Sequence, residues 1–383
     1  MSVRIPVARP EMGEPEWRAV RTVIESGWVT QGPKVAEFEH ATAALCGARH
    51  AVAVSSCTTA LHLALLCCGI TRGDEVVVPS MSYIATANAV VHAGATPIFA
   101  EVDPRTFNLD IVDVRRRIGP RTRAILLVHQ LGLPADIDAF TALATRHGLR
   151  LIEDAACAIG SRYHGRPIGS HSELVCFSFH PRKIVTTGDG GMITTHSDAL
   201  AARLRLLRHH GMSVPDTVRH AAAQVMRESY VEIGYNYRMT DIQAAVGIEQ
   251  LKRLPDMLAR RRVLAARYDQ AFCNHSIIQP PFVPQGVEWN VQSYAVRLRG
   301  FDAKRRDAVM QDLLDAGIAS RPGVMTAHRE PAYREAAHVS LPVSEAASDG
   351  SLVLPLYGEL TASEQNEVST ALCEAVARRG TDP

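Results

Sequence analysis

A lysine that follows a short apolar segment is the residue of this sequence with the clearest chemical potential. The segment 174–179 is apolar, Lys183 comes shortly after it, and the small residues beyond end in Gly190 and Gly191. A lysine held where a buried strand ends is partly desolvated, so its amine can lose a proton near neutral pH. Such an amine can form a Schiff base with an aldehyde cofactor, and glycines let backbone approach a flat ligand. A solvated surface lysine is the alternative.

A carboxylate follows a second apolar segment. Asp154 comes directly after the predicted buried strand 149–153, and a buried carboxylate costs stability unless it has a cationic partner. A protonated pyridine nitrogen would serve, and protonation of that ring makes pyridoxal phosphate an electron sink. An arginine would serve equally well, so both partners stay open.

Polar turns follow two further predicted strands. The turn 55–59 contains hydroxyls and precedes a helix, so its backbone amides could bind a phosphate; a plain helix cap is the alternative. The turn 79–83 ends in Tyr83, which could stack on a planar cofactor or simply pack. The polar turn 234–241 by itself indicates only the start of a helix.

The elements that must position these residues alternate between strand and helix. Helices are predicted over 58–69 and 84–92, and strands over 50–55, 75–79, 96–102, 124–129, 149–153, 174–179 and 192–195. This alternation predicts an α/β fold with a mostly parallel sheet and helices on both faces. Ligands bind such sheets at the carboxyl ends of the strands, where the candidate residues lie.

A length of 383 residues suggests two lobes. Thr240 is a plausible cap for a helix over 241–251, and Pro255 is expected to open a second helix that leads into the smaller lobe. Beyond it, we expect a strand at 294–298 and helices at 303–316 and 363–377. The predicted domains are therefore a large cofactor-binding domain with an N-terminal arm, 1–250, and a small C-terminal α+β domain, 251–383.

Composition excludes several classes of protein. The formal net charge is +1, which offers no strong field for nucleic acid or an anionic membrane. The eight cysteines lack the spacing of a zinc site, so no metal is expected. Free thiols and the absence of a signal peptide or a long apolar segment predict a cytoplasmic protein.

The order of these segments resembles the DegT/StrS-type family of pyridoxal-phosphate-dependent sugar aminotransferases over nearly the whole chain. The segments that carry the resemblance are Gly-Trp-Val-Thr-Gln-Gly-Pro at 27–33, Ser-Ser-x-Thr at 55–58, Pro-Ser-x-Ser-Tyr at 79–83, Glu-Asp-Ala-Ala at 153–156, Phe-Ser-Phe-His-x-x-Lys at 177–183, Gly-Tyr-Asn-Tyr-Arg-Met-Thr-Asp at 234–241 and Leu-Pro-Leu-Tyr at 354–357.

The resemblance implies a fold-type I aminotransferase homodimer with active sites shared between subunits. It implies that Lys183 forms the Schiff base with pyridoxal phosphate, that Asp154 meets the pyridine nitrogen and that Tyr83 stacks on the ring. The phosphate contacts that it implies are Cys57, Thr58, Thr59 and Ser178, with Asn236 reaching in from the neighbouring subunit.

Two departures from the family pattern stand out. Many relatives carry glutamine in contact with the cofactor where this chain has Cys157, and a thiol is shorter and a weaker hydrogen-bonding group. The segment 320–328 differs from the Thr-x-x-His-Tyr-Pro pattern of many members that use sugar nucleotides. Some relatives have histidine in place of the lysine and act as dehydratases; Lys183 therefore argues for transamination.

We thus expect transfer of an amino group from L-glutamate to a keto-deoxyhexose linked to a nucleoside diphosphate. A keto-cyclitol such as scyllo-inosose is the alternative acceptor. Candidates for contacting the acceptor, each with a structural role as the alternative, are His180, Arg238, Arg321 and His328.

Two other classes of function stay open. A hydride-transferring enzyme on a Rossmann sheet lacks the expected G-x-G-x-x-G segment. A regulator that binds pyridoxal phosphate without catalysis lacks an evident helix-turn-helix or basic domain.

Overall fold

The larger part of the chain is built on a seven-stranded sheet with strand order β1-β9-β8-β5-β4-β2-β3. A computed structural model describes residues 3–214, 223–336 and 339–380 of the protein. The strands of this sheet are β1 (His50–Val54), β2 (Glu75–Pro79), β3 (Thr96–Ala100), β4 (Thr122–Val128), β5 (Arg150–Asp154), β8 (Leu174–Ser178) and β9 (Gly191–Thr195).

Most neighbouring strands of this sheet run parallel. The β2–β3, β2–β4, β4–β5 and β5–β8 pairs are parallel, whereas β9 is antiparallel to both β8 and β1. Consequently β1 points the same way as β8, and the carboxyl ends of six strands meet at one edge. The sequence-based prediction of a mostly parallel α/β sheet is confirmed, and each predicted strand of this sheet is found within two residues.

Helices cover both faces of the sheet. Phe38, Phe140 and Phe179 are buried on one face, and Leu61 and Leu65 are buried on the other. The helices are α1 (Glu14–Ser26), α2 (Pro33–Cys46), α3 (Cys57–Cys67), α4 (Ala85–His92), α5 (Ile111–Arg117), α6 (Ile137–His147), α7 (Asp198–Leu207), α8 (Asp241–Phe272), α9 (Ala303–Asp315), α10 (Pro342–Asp349) and α11 (Ala362–Gly380).

The C-terminal part forms a second core around a four-stranded antiparallel sheet of order β10-β12-β14-β13. Its strands are β10 (Ile278–Gln279), β12 (Tyr294–Leu298), β13 (Arg321–Pro322) and β14 (Ser351–Leu354). Three short strands, β6 (Arg162–Tyr163), β7 (Arg166–Pro167) and β11 (Val287–Glu288), form a separate small sheet.

The N-terminal segment belongs to this second core. Ile5 is fully buried among its apolar side chains and bridges to Ile318 in parallel fashion. The segment around Ile5 therefore packs against the C-terminal lobe before the chain enters the large sheet. The N-terminal arm and the range 1–250 for the large domain stay predictions.

One continuous helix runs from the large lobe into the second core. Helix α8 continues through Pro255, so the predicted break between 251 and 255 is wrong. Proline inside a helix costs about 3 kcal/mol because a backbone hydrogen bond is lost. Leu254, Met257 and Leu258 are buried around it, and this packing offsets the loss. The division near residue 250 thus falls inside a helix and stays a prediction.

The start of α8 is tied to the segment before α2. Thr240 caps the helix as predicted, accepting a hydrogen bond from the Gln243 amide. The buried carboxylate of Asp241 accepts hydrogen bonds from the backbone of Gly32, Lys34 and Val35, at 2.8, 3.0 and 2.9 Å. This contact fixes the loop 27–33 on the large lobe. No helix in the described ranges has the length and apolar character needed to cross a membrane.

Replacing Asp241 tests how much its hydrogen bonds to the segment before α2 contribute to stability. In Asp241→Ala three buried amides lose their acceptor, and we expect a loss of about 3 kcal/mol in the free energy of unfolding. Asp302→Ala is the matched control, since Asp302 caps α9 with one hydrogen bond to Arg305 and should cost about 1 kcal/mol. Urea unfolding followed by circular dichroism measures both; equal losses would contradict the assignment.

Candidate active site

The edge where the parallel strands end gathers the side chains that the sequence singled out. Asp154 is the last residue of β5, Ser178 is the last residue of β8, and Lys183 lies in the loop that follows. Tyr83 comes shortly after β2, and its side chain is 63% exposed. The predicted constellation therefore shares one edge of the sheet, although its members come from distant parts of the chain.

The Lys183 amine lies against the Cys157 thiol. The Nζ–Sγ distance is 2.9 Å, and both residues are half-buried. Burial lowers the pKa of Lys183, but the charge and hydrogen bond of Cys157, with smaller contributions from Cys57 and Asp154, raise that pKa above its ordinary value. The direction of this pKa shift is opposite to the one expected from the sequence, because the groups around the amine favour its charged form.

Asp154 is buried with two neutral donors. Its carboxylate oxygens accept hydrogen bonds from the Thr86 hydroxyl at 2.9 Å and the Ala156 amide at 3.1 Å. Burial nevertheless raises the pKa of Asp154. No arginine pairs with Asp154 within the described ranges, so the arginine alternative finds no support. A carboxylate can accept further hydrogen bonds, and a cationic N–H group would offset its burial.

The turn between β1 and α3 caps the helix and also forms a potential anion-binding site. Ser56 caps the helix by accepting a hydrogen bond from the Thr59 amide, and the Thr59 hydroxyl donates to the Ser56 carbonyl at 2.8 Å. The amides of Cys57 and Thr58 are among those that a helix leaves without an intrahelical acceptor. These amides and the Thr58 hydroxyl can therefore receive a phosphate, whereas the Thr59 hydroxyl is already engaged.

Gly191 lets this turn approach the sheet. It pairs with Ser178 across the β8–β9 ladder, and a Cβ at this position would lie only 2.5 Å or less from backbone atoms of Ser56. A Cβ at Gly190 would likewise collide with the side chains of Thr187 and Met239. The sequence predicted that these glycines admit a ligand; in the structure they admit neighbouring parts of the chain.

Taken together, these groups fit pyridoxal phosphate. The site offers a lysine amine for an aldehyde, a buried carboxylate whose hydrogen-bond donors are neutral, and free amides at the start of α3 for a phosphate. The Gly191 contact places that helix start beside the end of β8. No cluster of residues suited to hold a metal occurs in the described part of the chain.

His180, Arg182 and Arg321 lie near one another beside the lysine loop. The sequence predicted a role for His180 and Arg321, whereas Arg182 is identified from the structure. Burial lowers the pKa of His180, and the charges of Arg182 and Arg321 lower it further; burial and Arg182 also lower the pKa of Arg321. Both arginines are exposed, and neither guanidinium has a hydrogen bond or ion pair to another described residue. His180 and Arg321 are thus placed where they can meet an anion.

The other two acceptor candidates are engaged within the fold. His328 is 2% exposed, and its nitrogens lie 2.5 Å from the Ser80 hydroxyl and 3.1 Å from a Glu345 oxygen. It links the C-terminal part to the end of β2, so the prediction that it contacts the acceptor has no support from its surroundings. Arg238 donates to His209 at 2.7 Å, which also indicates a structural role.

Asn236 is exposed on this chain. Its side chain makes no hydrogen bond to another described residue, while its backbone forms a bridge with His209. The cross-subunit role stays a prediction.

Sequence reasoning did not identify several residues that hold the site together. Thr86 binds Asp154, yet its only signal was a place in the first turn of a predicted helix. Asn290 and Gln292 contact the two loops that carry Cys157 and Lys183, and both lie about a hundred residues further along the chain. A single sequence contains no signal for such contacts.

Comparison with known proteins finds relatives that match nearly the whole chain. Residues 10–373 match the model of the DegT/DnrJ/EryC1/StrS aminotransferase family. GDP-perosamine synthase from Caulobacter vibrioides is 43% identical over 374 residues, covering 96% of this chain and 97% of that protein.

Solved structures are also similar over almost the full length. The PMP-form of Spr1654 from Streptococcus pneumoniae superposes with a TM-score of 0.93 at 28% identity, covering 98% of this chain and 100% of that chain. DesV from S. venezuelae, in complex with a ketimine intermediate, gives a TM-score of 0.86 at 38% identity, with 94% of each chain covered.

A methyl group at position 191 should disturb the potential anion-binding site at the start of α3. In Gly191→Ala the start of α3 must move away from β9, and we expect the Kd for pyridoxal phosphate to rise about tenfold or more, which corresponds to roughly 1.4 kcal/mol. Gly119→Ala is the control, because a Cβ there makes only ordinary contacts. An absorbance titration measures both; wild-type affinity in Gly191→Ala would refute the role of this contact.

Proposed function

We propose, because the chain belongs to the DegT/DnrJ/EryC1/StrS aminotransferase family, that it moves an amino group from L-glutamate to a keto-deoxyhexose carried on a nucleoside diphosphate. Membership confirms the resemblance that the sequence motifs indicated. The protein is a pyridoxal-phosphate-dependent aminotransferase that acts on a sugar; the donor, the exact acceptor and the residue roles are our proposal.

The observation that carries the proposal is a lysine amine at the same sheet edge as a buried carboxylate. A histidine in place of Lys183 could not bind an aldehyde through its side-chain nitrogen, so the dehydratase alternative is less well supported. Lys183 lies in the loop after β8, and Asp154 ends the neighbouring strand β5. This adjacency is what amino transfer with a pyridine ring requires.

The proposal assigns residues to the cofactor as follows. When bound, pyridoxal phosphate supplies an electron sink for charge that develops at the substrate carbon. Asp154 would accept a hydrogen bond from the ring nitrogen, which keeps that nitrogen protonated, and Tyr83 would stack on the ring. The residues that would hold the phosphate are Cys57 and Thr58 through their amides, the Thr58 hydroxyl, Ser178 and, from the neighbouring subunit, Asn236. The Thr59 amide already donates to the Ser56 hydroxyl, so it would share its hydrogen with the phosphate.

Lys183 has two tasks in this scheme. It binds the cofactor covalently, and after the donor amine displaces it, its Nζ acts as the general base. In the donor half-reaction Nζ takes the proton from the α-carbon of glutamate. In the acceptor half-reaction it returns a proton to the keto carbon of the sugar. Covalent attachment and proton abstraction need the neutral amine, whereas return of a proton needs the protonated amine that abstraction leaves. The groups that raise the pKa of Lys183 therefore matter for turnover.

The acceptor is proposed from two supports. A 43% identical relative is a GDP-perosamine synthase, whose name contains a sugar linked to a nucleoside diphosphate. Arg182 and Arg321 provide positive charge beside the lysine loop, and guanidinium groups suit phosphate oxygens. His180 lies beside them and can contribute a hydrogen bond. A keto-cyclitol such as scyllo-inosose carries no phosphate and would leave these cations without a ligand.

Substrate screening tests the acceptor. We expect the enzyme to release 2-oxoglutarate from glutamate with keto-deoxyhexoses linked to GDP, UDP or dTDP, and not with keto-inositols. Lys183→Ala, which lacks the amine, should lose at least about 10³-fold in rate with every acceptor and is the control for background. Turnover of keto-inositols alone would replace the proposed acceptor, and loss of water from the sugar without 2-oxoglutarate would favour a dehydratase.

The shared active site is tested by mixing subunits. If Asn236 serves the neighbouring site, Asn236→Ala and Lys183→Ala homodimers should both be nearly inactive. Random reassociation of equal amounts gives heterodimers in which one of two sites has both residues, so activity should return to roughly a quarter of wild type. Mixing that restores nothing would place Asn236 in its own subunit's site or outside any site.

A further inference from the structure

Two polar residues of the C-terminal part, separated by one residue, lie against the segments that carry the lysine and its neighbour. Asn290 is fully buried, and its Nδ2 donates hydrogen bonds to the carbonyls of Cys157 and Ile159, both at 2.8 Å. Gln292 is 8% exposed, and its Nε2 donates to the Arg182 carbonyl at 3.0 Å. Asn290 therefore holds Cys157, which lies beside the Lys183 amine. Gln292 holds Arg182, the residue before Lys183.

The two side chains are also connected to each other. The Asn290 Oδ1 accepts a hydrogen bond from the backbone amide of Gln292 at 3.0 Å. This bond orients both side chains toward the large lobe. Gly132 makes room for this arrangement, because a Cβ there would collide with Oδ1 of Asn290 and lie 2.7 Å from the Cys157 carbonyl. We call residues 290–292 the amide bracket.

The backbone of the amide bracket is strained. Val291 has a φ of 53° and is buried, and the left-handed region is unfavourable for a β-branched residue. A buried guanidinium compensates for this conformation: Arg261 donates to the carbonyls of Val291 and Gln292, at 3.2 and 3.3 Å. Burial lowers the pKa of Arg261 to about 10, which shows how costly this placement is.

We propose that Asn290 and Gln292 are positioning residues that hold the Lys183 amine against the Cys157 sulfur. The bracket fixes the turn after β5 and the loop after β8 relative to each other, so the distance between Nζ and Sγ depends on it. This inference rests on the proposed function, since that function gives the Lys183 amine its role. Neither residue is proposed to touch the substrate.

The consequence concerns the proton on Lys183. The groups that face its amine are Cys157 and Asp154 from the end of β5 and Cys57 from the start of α3, with His180 on its own loop. Cys157 makes the largest contribution that raises the pKa of Lys183. Loosening the Nζ–Sγ contact should therefore lower this pKa, and a larger fraction of the amine is then neutral at neutral pH.

Uptake of pyridoxal phosphate by the cofactor-free protein measures that fraction directly. Gln292→Met keeps the length of the side chain and removes its donor, and the Gln292 oxygen it removes has no partner among the described residues. We expect uptake at pH 7.5 to become about three- to tenfold faster, and its pH profile to move to lower pH, since one pKa unit changes the neutral fraction tenfold. Stopped-flow absorbance follows the uptake.

Gln243→Met is the matched control. Gln243 also donates to a backbone carbonyl of the lysine loop, that of Asp189, at 2.8 Å, but it does not contact Lys183 or Cys157. It should lower thermal stability slightly and leave the pH profile of uptake unchanged. A shift of equal size in both variants would mean that general loosening of the loop, not the bracket, sets the proton affinity.

Cys157→Ala completes the test. This variant should shift the uptake profile in the same direction, and adding Gln292→Met to it should produce no further shift, because both changes remove the same contact. If Gln292→Met does not fold, Gln292→Asn, which keeps the amide on a shorter side chain, takes its place. Additive shifts, or a wild-type profile in the folded Gln292 variant, would overturn the inference.

Borohydride reduction and peptide mapping distinguish a failure of the amide bracket from a failure of the proposed role of Lys183. Attachment of the cofactor to Lys183 in every variant, with identical pH profiles, would refute the bracket and leave the proposed function intact. Attachment elsewhere, or none in the wild-type protein, would refute the role of Lys183 itself.

Discussion

Burial of the Asp154 carboxylate at the end of β5 is the constraint on which the rest of the site depends. A carboxylate removed from water is costly unless donors and a positive charge compensate for it. The chain supplies two neutral donors, Thr86 and Ala156, and the nearby Lys183 amine contributes charge. In the proposed function, a protonated ring nitrogen would meet the remaining electrostatic need.

The lysine loop shows a second use of the same principle. Cys157, Cys57 and Asp154 surround Lys183 with groups that favour its charged form, whereas chemistry requires the neutral amine. In the proposed function, the cofactor would change this balance, because it would bind the Asp154 carboxylate and take up the amine. The inferred role of residues 290–292 is to hold the amine against Cys157 before that happens.

The C-terminal lobe therefore does more than complete a second core. Helix α8 joins it rigidly to the large sheet, and Asn290 and Gln292 reach back to the turns that carry the site. Arg321, at the start of β13, adds charge beside Arg182 at the rim. The proposed acceptor would bind where the two lobes meet, with its reacting carbon toward Lys183 and its phosphates toward these cations.

The sequence by itself determined the alternation of strands and helices, the sheet edge that bears Lys183, Asp154 and Tyr83, and the family. These features are local, because periodicity and short motifs record them within a few residues. Only the tertiary structure decided that Pro255 lies inside a helix, that His328 is buried, and that residues 290–292 bracket the lysine. Each of these depends on contacts between segments far apart in the chain, and packing energy outweighs local preference there.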